Sequence, residues 1–106
     1  MSRRQMLDDP STAYPQLAQF LGGYFHQDWP ADGASWEDIA GDFIAESTRS
    51  SVTDTAAELR ALLAQGFSDT ELGGVLDGLG CSVDPGAFGL DAQAWLEALL
   101  VRVARA

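Results

Sequence analysis

The two residues best suited to covalent chemistry, Cys81 and His26, are each the only one of their type in the sequence. A thiol nucleophile needs a base within reach, and helical packing could bring these two side chains together although they lie far apart in the chain. Cys81, however, follows Leu79-Gly80 at an expected helix end, where a small, half-buried apolar side chain fits well. We therefore expect Cys81 to be structural and predict no catalytic residue.

The sequence gives little support for a metal site or for a phosphate-binding loop. His26 and Asp28 could hold one edge of an ion, but zinc needs three or four ligands and the sequence has no second His or Cys nearby. Gly22-Gly23 and Gly73-Gly74 lack the strand and the Lys of a phosphate-binding loop. We predict no metal, no cofactor and no enzyme; a hydrolase that depends on His26 or on one carboxylate is the competing hypothesis.

The net charge of the chain indicates which classes of partner it can bind. The 106 residues include 16 Asp and Glu, 6 Arg and no Lys, which gives a formal net charge of -10. Such a chain lacks the basic face that contacts with nucleic acid phosphates or an anionic membrane require. No apolar run approaches the roughly 18 residues of a membrane span, and none follows Arg3-Arg4 as a signal sequence would require. We expect a cytoplasmic protein with a basic protein partner.

The acids are unevenly distributed. Between Asp28 and Glu46 there are six carboxylates and no basic residue, and Asp38, Asp42 and Glu46 recur at intervals of four. Like charges at that spacing on a helix cost a few tenths of a kcal/mol each, so local stability does not explain them. They form either a solvated face or a surface that attracts a basic partner.

A second acidic strip occurs later in the chain, at Asp69, Glu71, Asp77 and Asp84, and its position relative to the first is not fixed by the sequence. The candidate partner-binding residues are Asp28, Asp32, Glu37, Asp38, Asp42, Glu46, Asp69 and Glu71.

The spacing of apolar residues predicts an all-α, compact single-domain bundle of about five amphipathic helices over 14–106, after a flexible polar leader over 1–13. Pro15 begins the first helix, which either ends at Gly22-Gly23 or continues there against a closely packed backbone; we favour the second. The predicted N-caps of the other four helices are Ser35, Ser51, Ser68 and Asp91.

A longer motif is more specific than any of these patterns. Residues 14–29 contain Gly-Gly-Tyr-Phe-His-Gln-Asp-Trp, and this stretch resembles the opening motif of one family of bacterial contact-dependent growth inhibition (CDI) immunity proteins. Later blocks are also similar: Ser35-Trp36-Glu37-Asp38, Gly66-Phe67-Ser68-Asp69 and Leu79-Gly80-Cys81. The resemblance covers about residues 14–100.

The resemblance implies a protein that neutralises the toxic C-terminal domain of a cognate CDI effector. We expect the free protein to be a monomer. Such toxins are often nucleases, so the acidic surface would block a basic cleft. An acidic adaptor or anti-regulator of an endogenous basic protein is the alternative. Tyr24, Phe25 and Trp29 of the motif are either core residues or aromatic anchors for the partner.

Overall fold

The computed structural model describes residues 2–26 and 35–105, which form seven α-helices, one 3-10 turn and no strand. The α-helices are α1 (Arg3–Asp8), α2 (Pro10–Ala13), α3 (Pro15–Tyr24), α4 (Trp36–Glu46), α5 (Arg49–Ala64), α6 (Asp69–Gly78) and α7 (Ala92–Ala104), and the 3-10 turn spans Pro85–Phe88. The all-α prediction is confirmed. The five predicted helices correspond to α3–α7, and the two short helices α1 and α2 are additional.

Local capping chemistry fixes most helix starts. Ser35 and Ser68 form reciprocal capping boxes with Asp38 and Glu71, as predicted. The Asp91 carboxylate accepts from the amide of Ala94 at 2.7 Å, which confirms the predicted start of α7.

The predicted N-cap at Ser51 is wrong. Helix α5 begins one turn earlier, because the Thr48 hydroxyl accepts from the Ser51 amide at 3.1 Å. The Ser51 hydroxyl instead donates to Oε1 of Gln16 on α3, 3.3 Å away. Two hydroxyl residues compete for the cap, and packing against α3 leaves Ser51 inside the helix.

Helix α3 begins at Pro15, which has no amide hydrogen to satisfy. The next two amides, of Gln16 and Leu17, donate to the two carboxylate oxygens of Glu58 at 3.2 and 3.0 Å. The Ala18 amide donates to the Tyr14 carbonyl at 3.0 Å, so every amide in the first turn is satisfied. Glu58 belongs to α5, and it therefore fixes the start of one helix against the middle of another.

The core is built around α7, which packs against α4, α5 and α6. The Trp95 side chain of α7 is completely buried and meets Phe25 edge to face, with ring centroids 5.6 Å apart. Phe20 of α3 stacks on Phe43 of α4 with centroids 4.0 Å apart. These contacts hold α3, α4 and α7 around one aromatic centre.

The segment 1–13 is expected as a flexible leader from its polar composition, and residues 3–13 of it contain α1 and α2. Ser2 caps α1 through the Gln5 amide, and Pro10 packs against Gly78 of α6. The Arg3 guanidinium lies over the ring of Phe67, 4.6 Å from its centroid, and donates to the carbonyl of Gln65. The flexibility of this segment stays a prediction.

Candidate partner-binding surface

The α4 acidic ridge consists of Asp38, Asp42 and Glu46, one per turn along the exposed side of α4. Asp38 accepts from the Ser35 amide at 3.4 Å, and Glu46 accepts from the Tyr24 hydroxyl at 2.8 Å. Within residues 2–26 and 35–105, no basic side chain forms a salt bridge with any of the three. The ridge is thus a row of carboxylates that form no salt bridge with a described residue.

Tyr24 connects the ridge to the core. Its half-buried ring meets Phe20 and Phe43 edge to face at 6.1 and 5.5 Å between centroids. The hydrogen bond to Glu46, followed by burial and the charges of Glu46 and Asp42, raises the pKa of the Tyr24 phenol. The phenol therefore stays a neutral donor at physiological pH and holds Glu46 in a fixed position.

The motif contains two other aromatic residues, Phe25 and Trp29. Phe25 is fully buried and belongs to the core, whereas Trp29 lies outside the described residues. The choice between core and anchor is thereby settled for Phe25 only.

Glu37 does not share the ridge with its neighbours on α4. It is half-buried and lines a surface cavity with Trp36, Arg102 and Arg105, on the side of α4 that faces α7. The predicted site residues Asp28 and Asp32 lie outside the described part of the chain.

Asp69 and Glu71 already have partners within the fold. Asp69 accepts from the Ala92 amide at 2.7 Å and so joins the start of α6 to the start of α7. Glu71 closes its capping box and lies 3.8 Å from Nη2 of Arg3. Both carboxylates stabilise helix ends, a role that spacing alone could not reveal because Ala92 is 23 residues from Asp69.

The second acidic strip is only partly brought together. Asp69, Asp77 and Asp84 line one concavity between α6, the 3-10 turn and α7, whereas Glu71 does not. Asp91, which the sequence identified only as a helix cap, also lines it. No group of acids, His and Cys in the described residues is arranged to hold a metal ion.

The backbones beside Cys81 and His26 do come together, since the Ser82 amide donates to the Phe25 carbonyl at 2.7 Å. The two side chains nevertheless have different environments: Cys81 is 4% exposed and His26 is exposed. Burial raises the pKa of the Cys81 thiol to about 11. Because the thiolate is the nucleophile, this environment suits the structural role predicted for Cys81.

Sequence reasoning missed a cavity of about 300 Å³ between α4, α5 and α7. Arg49 and Arg60 of α5 stand at its edge. Their signal in the sequence is weak: no acid lies three or four residues from Arg60, and the one acid at that distance from Arg49, Glu46, belongs to α4 and not to α5.

None of the helices in the described ranges is long and apolar enough to cross a membrane.

Two comparisons with known proteins match the chain. A chain in the crystal structure of the CdiA-CT/CdiI complex from Y. kristensenii 33638 is 26% identical, with a TM-score of 0.78. The alignment covers 85% of this chain and 97% of that chain. No curated protein matches the sequence. The family model of the CdiI immunity protein matches residues 13–103, which include α3–α6 and all but the last residue of α7. Because this match spans most of its length, the chain belongs to the CdiI immunity protein family.

Proposed function

We propose that this chain binds the toxic C-terminal domain of a cognate CDI effector and neutralises it in the cytoplasm without catalysis. The observation that carries the proposal is the family match over residues 13–103. Similarity to a chain from a CdiA-CT/CdiI complex, across 85% of this chain, supports the same function.

The α4 acidic ridge is the proposed contact surface. Its three carboxylates are exposed and have no basic partner within the described residues, so they are available to cations on another protein. We propose that the toxin domain is a nuclease. A nuclease carries such cations in the cleft that binds substrate phosphates. The ridge would occupy that cleft, exclude the nucleic acid and attract the toxin over a distance set by ionic strength.

The remaining predicted contact residues take different places in this proposal. Asp28 and Asp32 precede α4 in the sequence and extend the same acidic stretch. Asp69 and Glu71 each stabilise a helix end, and Glu37 lies toward α7. We therefore rank these last three below the ridge as partner contacts.

We further propose that the free chain is a monomer that forms one heterodimer with the toxin. A standard interface buries about 1,600 Å² in total, which is enough for tight binding. The core of such an interface contributes most of the affinity, whereas charges at its rim govern the association rate.

The test is a growth assay combined with a titration. The cognate toxin domain is expressed in bacteria with and without this chain, and the purified pair is titrated by calorimetry at about 50 and about 500 mM NaCl. Rescue of growth with a 1:1 complex that weakens at high salt supports the proposal. An unrelated toxin domain is the control for specificity. Absence of both rescue and binding contradicts the proposal.

A further inference from the structure

The cavity between α4, α5 and α7 combines an apolar floor with a cationic edge. Val52, Ala56 and Val103 form the floor and are 7%, 3% and 1% exposed, and Ile44 of α4 closes one side. Arg49 and Arg60, both exposed, line the same cavity. Its volume of about 300 Å³ lies at the lower end of the range for binding sites.

Neither arginine forms a salt bridge with an acid of the described chain. Arg3 pairs with Glu71 and Arg4 with Asp8, whereas no salt bridge involves Arg49, Arg60 or the two arginines of the α7 end within residues 2–26 and 35–105. The protein carries 16 acids against 6 arginines. Two of them at one cavity provide a local cationic site on an acidic molecule.

Local stability does not account for this placement. Arg49 occupies the first residue of α5, where the positive end of the helix dipole disfavours a cation. Arg60 has Ala56 and Ala57 one turn before it and Leu63 and Ala64 one turn after it, so no helical ion pair holds it. By contrast, Arg102 sits in the last turn of α7 and lies over the ring of Trp36, 5.8 Å from its centroid.

We infer that this cavity binds a carboxylate-bearing side chain of the toxin domain, with the guanidinium groups at its two ends attracting the carboxylate and the apolar floor between them holding its aliphatic stem. The inference rests on the proposed function and names a second contact on the same partner. Arginine suits this ligand because its planar fork can donate two parallel hydrogen bonds to one carboxylate.

The cavity and the α4 acidic ridge meet at the end of α4. Ile44 and Ser47 line the cavity, and Glu46 of the ridge lies between them in the chain. A single partner can therefore present a cation to the ridge and a carboxylate to the cavity. Opposite charges at adjacent positions fix the orientation of docking, since a rotated partner would place like charges together.

The experiment compares two double variants with the same change in net charge. Arg49→Gln with Arg60→Gln removes the cationic edge, and Arg4→Gln with Arg105→Gln removes two arginines that do not line the cavity. We expect the first pair to raise the Kd for the toxin domain at least about tenfold and the second less than about threefold. Melting temperatures within a few degrees of the wild type show that all variants are folded.

A neutral variant separates charge from shape. Thr53 is exposed and lines the cavity, so Thr53→Phe fills it without changing the net charge. We expect this change also to weaken toxin binding about tenfold, because the carboxylate loses its place beside the guanidinium groups. Unchanged affinity in both Thr53→Phe and the Arg49/Arg60 variant overturns the inference.

A scan of the toxin's acids identifies the occupant. Each toxin Asp or Glu is changed to its amide and combined with Arg60→Gln; one position is expected to be non-additive with Arg60→Gln in the binding free energy. Additivity at every acid overturns the inference while leaving toxin binding intact, whereas failure of the wild-type chain to bind overturns the proposed function itself. A wild-type dimer that dissociates in the Arg49/Arg60 variant assigns the cavity to a second copy and also overturns it.

Discussion

Gly22 of α3 lies against the backbone carbonyl of Leu79, so closely that a Cβ added at Gly22 would stand 2.8 Å from that oxygen. Gly80, at a φ of +79°, completes the contact, because a Cβ there would be 3.3 Å from the Cα of Gly22. The neighbouring Gly23 has open space at the same position. Two adjacent glycines of the motif therefore have different functions: Gly22 permits the packing of α3 on the turn after α6, and Gly23 does not take part in it.

This difference predicts opposite effects of the same substitution. Gly22→Ala should lower the free energy of unfolding by about 1–3 kcal/mol, because the carbonyl of Leu79 must move. Gly23→Ala should raise it by about 0.5–1 kcal/mol, since alanine favours a helix. Urea denaturation measures both, and equal effects would show that the close approach is not tight.

The phenols of Tyr14 and Tyr24 provide a second matched pair. Tyr14 is buried and its hydroxyl has no hydrogen-bond partner among the described residues, so Tyr14→Phe should leave stability unchanged or raise it by up to about 1 kcal/mol. Tyr24→Phe removes the bond to Glu46 and should lower stability by up to about 1 kcal/mol. Thermal unfolding of both variants tests the contrast, which reversed signs would contradict.

The buried Cys81 thiol should lower the free energy of unfolding at alkaline pH. Burial raises its pKa from 9.0 to about 11, so the folded state retains a proton that the unfolded state has lost. This contribution is fully present below pH 9 and is lost as pH rises toward 11, by about 2–3 kcal/mol in total.

Cys81→Ala is the control for this pH dependence. The sequence has no Lys, so few other groups titrate near pH 9. The free energy of unfolding of the wild type should fall more steeply than that of Cys81→Ala between pH 8.5 and 10, measured by urea denaturation at each pH. Parallel pH profiles would mean that the thiol is accessible to water.

A charge reversal on the α4 acidic ridge should slow association with the toxin. Asp42 is exposed and has no hydrogen bond or salt bridge to another described residue, so Asp42→Arg should change the encounter without affecting folding. We expect the association rate to fall about tenfold at low salt, with little difference at about 500 mM NaCl. Stopped-flow mixing measures the rate.

Asp54→Arg on α5 makes the same change in net charge away from the ridge and is the matched control. Asp38→Arg is less informative, because Asp38 closes the capping box of α4 and its loss would destabilise the helix by about 1 kcal/mol. Equal association rates for Asp42→Arg and Asp54→Arg would show that the ridge has no local role.

The helix starts that depend only on nearby residues could be predicted from the sequence, whereas those that depend on contacts between helices could not. The caps at Ser35, Ser68 and Asp91 depend on residues three positions away, so local spacing predicts them. The start of α5 differs from the predicted one because Thr48 and Ser51 are both good caps and contact with α3 decides between them.

The candidate site shows the same division. The exposed ridge follows from the four-residue spacing of acids on one helix, which is a local pattern. The structural role of Asp69 and the cavity beside Arg49 and Arg60 depend on helices that meet only in the folded chain. Neither could be predicted before the packing was known.

The carboxylate of Glu58 makes two backbone amides of α3 report on another helix. Gln16 and Leu17 donate to Glu58 and not to carbonyls of α3, so fraying of α3 alone does not expose them to solvent. Their hydrogen exchange requires α3 to separate from α5, whereas exchange at Ala18 needs only the first turn to open. Deuterium uptake at these adjacent positions thus distinguishes separation of the two helices from unwinding of one.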